Sequence, residues 1–122
     1  MGTFSLSASN FESYYLQAQK VRQLVRQDFD LAFTQAHVLL TPTAKSAAVK
    51  FEVPSSGSST VEGVQSYLND VFTVPSSLAG LPSMSVPAGI DHANLPLGLQ
   101  LITPKLHEAR LFQVGKLVAN EE

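Results

Sequence analysis

An α/β fold is predicted by three features of the sequence. Apolar residues recur at spacings of three and four from Phe11 to Ala36, two later stretches near 83–88 and 95–102 alternate, and about 107–118 returns to the helical period. Helical and strand patterns succeeding one another in a short chain call for a sheet with helices laid on it. With 122 residues, 44% of them hydrophobic and 15% charged, the chain is one domain or part of one.

The long stretch is read first. Ser9-Asn10-Phe11-Glu12 has the Ser-x-x-Glu spacing of a capping box, so a helix is expected from about residue 10 to about 34. Its stripe of Phe11, Tyr14, Tyr15, Ala18, Val25, Phe29, Ala32, Phe33 and Ala36 expects cover from a core, with Gln17, Lys20, Gln23, Gln27 and Asp30 lying between. The apolar run over about 37–41 then reads as a short buried strand closed by Pro42. Residues 44–60 lose periodicity and gather Ser, Gly and Pro, which predicts a long loop. Ser56-Gly57-Ser58-Ser59 belongs to that loop; no base or rigid turn beside it would activate a serine.

A second capping box, Ser59-Thr60-Val61-Glu62, opens a helix over about 60–74 that Pro75 is expected to stop, placing Asp70 in its last turns. A carboxylate there opposes the helix dipole, which costs roughly 0.3–1 kcal/mol when exposed. Two readings are open on the residues alone: a solvated surface aspartate, or one whose charge is compensated by something it binds. Residues 75–82 read as turns, in which Gly80 supplies an unusual backbone angle. The alternating stretches 83–88 and 95–102 form a hairpin across the short link Gly89–Asn94. Gly98 lacks a side chain on the face opposite the leucines, so a close neighbour is expected there. The last helix, over about 107–118, turns Leu111, Val114, Leu117 and Val118 inward. Both edges of the hairpin are expected to be open, and the chain is expected to be a piece of a larger sheet.

Composition limits the function classes. A net charge of −2 without a basic run argues against unaided nucleic-acid binding. With no cysteine there is no disulfide framework and no thiol nucleophile. His37, His92 and His107 are scattered, so no metal site is expected, and His92 reads as a loop residue. No stretch approaches the roughly 20 apolar residues of a membrane span, and MGTFSLSASNF carries no visible address.

Local strings go further than periodicity. GTFSLSAS near the start, YYLQAQKVRQLVRQDFD on the first helix, YLNDVFTVPSSLAGLP across Asp70, and SMSVPAG followed by LPLGLQLI resemble the C-terminal quarter of the amidase signature family. YYLQAQKVR and YLND resemble most the A-type, glutaminase subunits of the glutamyl-tRNA(Gln) amidotransferases, over about residues 2–118. The resemblance implies the C-terminal part of an α/β/α sandwich, a mixed sheet covered by helices. Ser77 departs from it where Asn is usual, and Thr103-Pro104 where Gly-Lys is common; both departures are expected to touch loop shape more than chemistry.

What the resemblance implies about chemistry is specific. Enzymes of this group use a Ser, cis-Ser, Lys triad in their N-terminal half; no residue of this chain matches it, so no catalytic residue is assigned and the chain alone is expected to be inactive. Asp70 matches the YLND aspartate that takes the α-ammonium of glutamine. An arginine for the α-carboxylate is expected just upstream of Gly2, while Arg22 and Arg26 are read as helix-surface residues. The implied partners are glutamine, the B-type subunit of the amidotransferase, a small C-type or equivalent subunit and, through the complex, tRNA. ATP and magnesium are implied on the B-type partner, with no cofactor in this segment. A mitochondrial matrix is the expected compartment, with plastid or bacterial cytoplasm as alternatives. The rival readings are a general amidase and a non-enzymatic α/β interaction module.

Overall fold

The computed structural model describes residues 11–48 and 69–119. Ser9, the second capping box, the serine-rich stretch 56–59 and the bulk of the expected 60–74 helix lie outside these residues. Three helices and a three-stranded antiparallel sheet make up the described fold, as an α/β reading requires.

A π-helical stretch, Phe11–Leu16, runs without interruption into α1, Gln17–Ala32. Phe11 stacks on Tyr15 at 5.0 Å and Phe29 on Phe33 at 6.5 Å, as spacing of four on one helix face allows. The expected cover is partial among the described residues: Tyr15, Val25, Phe29, Ala32, Phe33 and Ala36 of the stripe are half-buried, whereas Phe11, Tyr14 and Ala18 are exposed. No residue of α1 is buried, and Val21, Leu24 and Leu31 are 59–66% exposed. α1 meets the rest of the chain along a polar edge, where the Arg22 Nε donates to the Leu78 carbonyl at 2.6 Å.

β1, Leu39–Pro42, begins two residues later than the apolar run suggests and includes Pro42 as its last residue. It lies at the sheet edge, where a residue without an N–H is tolerated. β2, Ser83–Ile90, and β3, Pro96–Ile102, form the hairpin with an irregularity between Pro87 and Ile90. Asp91 closes the connection: its Oδ1 accepts the amides of Ala93 at 2.8 Å and Leu95 at 2.9 Å. The strand order β1-β3-β2 corrects the expectation of two open hairpin edges, because β1 pairs with β3 and makes it the central strand.

Cross-strand register sorts the sheet into two faces. Met84, Val86, Leu99 and Leu101 face α3, Glu108–Ala119, and pack with its Leu111, Val114 and Val118. Gly115 lets α3 approach closely, since a Cβ there would stand 2.7 Å from the Met84 sulfur. The opposite face carries Thr41, Ser85 and Gln100 side by side. It also carries Ser83, Leu39 and Ile102, and with Gln100 3% and Ile102 2% exposed this mixed face is covered too.

The expected close neighbour of Gly98 is found on this face. Thr43 and Ser85 share a hydrogen bond of 2.6 Å above it, and a Cβ on Gly98 would meet both hydroxyls at 2.9 Å and the Thr43 Cβ at 3.1 Å. Ser85 can rotate away, but the Thr43 Cβ is fixed to its backbone. Gly98→Ala is therefore expected to destabilise the chain by about 1–3 kcal/mol, the usual range for overpacking. A shift of the urea midpoint to lower concentration checks it; a midpoint equal to the parent's would show that Thr43 yields freely.

Candidate functional site

Asp70 opens the turn that leads from Asn69 into the next helix, and Gln100 of the sheet reaches that turn. Asn69 is helical and residues 70–73 form turns, so the expected helix does not run unbroken to Pro75. The Asp70 carbonyl accepts the amides of Thr73 at 3.1 Å and Val74 at 3.0 Å. Pro75 does not act as a stop; it sits in the first turn of a six-residue helix, α2, Val74–Ala79, where its missing N–H costs nothing. The stretch read as turns is therefore helical, and Gly80, at φ 70° and ψ 40°, closes it in the left-handed conformation.

Several hydroxyls fix the start of α2. Ser76, fully buried, donates to the Thr73 carbonyl at 2.9 Å, and Ser77 donates to the same carbonyl at 3.2 Å. Ser77 thus belongs to a helical turn and not to a loop. Thr103 is also more than a loop residue: it is fully buried, its amide donates to the Pro82 carbonyl at 3.1 Å, and its hydroxyl donates to the His107 carbonyl at 3.4 Å.

Gln100 ties the Asp70 turn to the sheet. Its Nε2 donates to the Phe72 carbonyl at 2.9 Å and to the Thr41 hydroxyl at 3.1 Å. No local sequence signal marks that link, because the partners lie 28 and 59 residues away. The Asp70 side chain is exposed, and among the described residues its carboxylate meets no cation. A fixed turn carrying an unneutralised carboxylate can receive one cationic group.

Arg22 and Arg26 are not brought to Asp70 by any described contact. They line a cleft of ≈ 260 Å³ between α1 and α2 with Gln19, Gln23, Leu78 and Ala79. Arg26 faces Asp30 at 3.9 Å, a pair one turn apart on the helix surface. This cleft is a helix–helix seam whose two cations already have partners. Among the described residues no three His, Asp or Glu side chains gather in one place, and no helix is long and apolar enough to cross a membrane.

The profile of the Amidase family matches residues 1–112. The chain belongs to that family. Among curated relatives of this chain, the A-type subunit of the glutamyl-tRNA(Gln) amidotransferase of Maricaulis maris is 52% identical over 118 residues, and that of Parvibaculum lavamentivorans is 53% identical over 115 residues. The chain spans less than a quarter of their length, 23% and 22% respectively. The crystal structure of the corresponding Thermotoga maritima protein superposes with a TM-score of 0.72 at 37% identity, covering 92% of this chain and 23% of that one. A 6-aminohexanoate cyclic dimer hydrolase shares the fold at a TM-score of 0.65 and 21% identity, covering 96% of this chain and 25% of its own. The family match thus takes in α1, α2 and the sheet.

Proposed function

We propose that the chain is the C-terminal segment of the A-type, glutaminase subunit of a glutamyl-tRNA(Gln) amidotransferase and that Asp70 binds the α-ammonium of glutamine. The observation that carries this reading is identity of about one half, over nearly the whole chain, to proteins of that name. Exposure of Asp70 on a turn held by backbone and side-chain hydrogen bonds supports its part in it. Free glutamine differs from a simple amide by two charges, and a site that selects it needs an anion for one of them. Membership of the Amidase family favours this reading over an orphan interaction module.

In the complete glutaminase, the serine of the triad attacks the side-chain amide carbon of glutamine. The C–N bond breaks, ammonia leaves with the proton supplied by the triad, and water then hydrolyses the γ-glutamyl ester. Ammonia would pass to the B-type partner, whose site would hold ATP and magnesium and supply the activation of the glutamate carried by tRNA(Gln), with a small C-type or equivalent subunit completing the complex. The mitochondrial expectation has no counterpart in the Maricaulis and Parvibaculum relatives, which are bacterial.

The test uses a full-length chimera in which this segment replaces the matching 23% of the Maricaulis maris protein, assembled with its partner subunits. It is expected to convert Glu-tRNA(Gln) with glutamine as nitrogen donor, whereas the 122-residue chain alone releases no ammonia above a buffer blank. A folded chimera that cleaves simple aliphatic amides and ignores glutamine would return the general-amidase reading. Ammonia release by the isolated chain, after controls for contaminating glutaminase, would contradict the proposal.

A further inference from the structure

Gln100 occupies a position that an apolar residue would fill more simply. It is 3% exposed in the central strand, beside Leu101 and Ile102, and a buried amide is expensive unless its hydrogens are taken up. Both bonds of its Nε2 leave the strand: one goes to Thr41 on β1, the other to the Phe72 carbonyl in the turn after Asp70. The Phe72 carbonyl and the Thr73 amide are the two ends of one planar peptide unit. That amide donates to the Asp70 carbonyl at 3.1 Å. Two hydrogen bonds through a single rigid plane therefore run from the strand to the backbone of Asp70. On the far side Ser76 holds the next carbonyl, that of Thr73, at 2.9 Å.

We infer that Gln100 is a positioning residue for glutamine binding: it anchors the Phe72–Thr73 peptide, and through it aims the Asp70 carboxylate before substrate arrives. The inference rests on the reading of Asp70 as the ammonium-binding residue. A charge-assisted hydrogen bond is sensitive to geometry, and an exposed turn without an anchor would have to be ordered at the expense of binding. Gln100 does this from inside the sheet and touches no substrate. Its effect therefore falls on glutamine affinity and not on the chemical step.

The experiment places Gln100→Met in the assembled chimera. Methionine keeps the length and volume and offers no donor. The KM for glutamine is expected to rise about three- to ten-fold, the net worth of one or two lost hydrogen bonds, with kcat and ammonium-driven amidation unchanged. Thr41→Val removes the other acceptor and leaves the Phe72 bond, so its KM should stay at the parent value. Gln100→Asn, whose amide stops one methylene short of Phe72, serves if the methionine variant does not fold and carries the same expected rise.

Equal loss of the glutamine- and ammonium-driven reactions, or a Thr41→Val effect as large as that of Gln100→Met, would overturn the inference in favour of a purely structural role. A parent KM in the Gln100 variants while Asp70→Asn raises it would overturn the inference alone. Parent values in both would remove the Asp70 reading, and the inference with it.

Discussion

Asp70→Asn in the full-length chimera is expected to lower kcat/KM for glutamine about ten- to a hundred-fold, because a charge-assisted hydrogen bond contributes roughly 1.5–3 kcal/mol and each 1.4 kcal/mol is one decade. The substitution removes the anion and nearly preserves the shape. It leaves the Asp70 carbonyl bonded to Thr73 and Val74 as before, so the turn should persist. The Asp70 side chain is exposed and makes no ion pair among the described residues, so its charge is not needed for folding. Thermal stability should therefore be unchanged. Ammonium-driven amidation, which bypasses glutamine hydrolysis, should stay near the parent rate. Steady-state kinetics with each nitrogen donor check this directly. Unchanged glutamine kinetics would return Asp70 to a solvated surface residue, and equal loss with both donors would make it structural.

The second large effect is on stability. Leu101 is fully buried at the centre of the sheet, packed with Val86 and Leu111 between β2 and α3. Leu101→Ala is expected to cost about 2–5 kcal/mol, the transfer term of the lost methyl groups plus the cavity they leave. Domains of this length are stable by roughly 0.05–0.15 kcal/mol per residue, so the loss is a large share of the total. The apolar residues that α1 leaves in solvent, Val21, Leu24 and Leu31, add nothing to offset it. Urea titration should show either a midpoint far below the parent's or no folded baseline. A loss of less than about 1 kcal/mol would mean that α3 collapses onto the vacated space, and would place the stabilising contacts elsewhere.

Legibility in the sequence varies with how local each feature is. The helical period around α1 and α3, the alternation of β2 and β3 and the open position at Gly98 are readable, because each depends on a few neighbours along the chain. Helix α2 is not. Six residues are too few to display a period, and a proline at a helix start reads the same as one that ends a helix. The π-helical opening of the first helix likewise has no separate sequence period to betray it.

The candidate site divides in the same way. Asp70 is legible through the YLND string and its likeness to a family; its physical chemistry alone allows a solvated surface aspartate just as well. Its anchor, Gln100, shows in the sequence only as one residue of an alternating strand. The sequence by itself determined that the segments of α1 and α3 are helical, that those of the three strands are extended, and that the chain resembles amidases. Tertiary structure decided the order β1-β3-β2, the partial cover of α1 and the bond from Gln100 to the turn of Asp70. Each of those depends on segments distant in sequence meeting in space, where the partner of a hydrogen-bonding group is set by the fold and not by its neighbours along the chain.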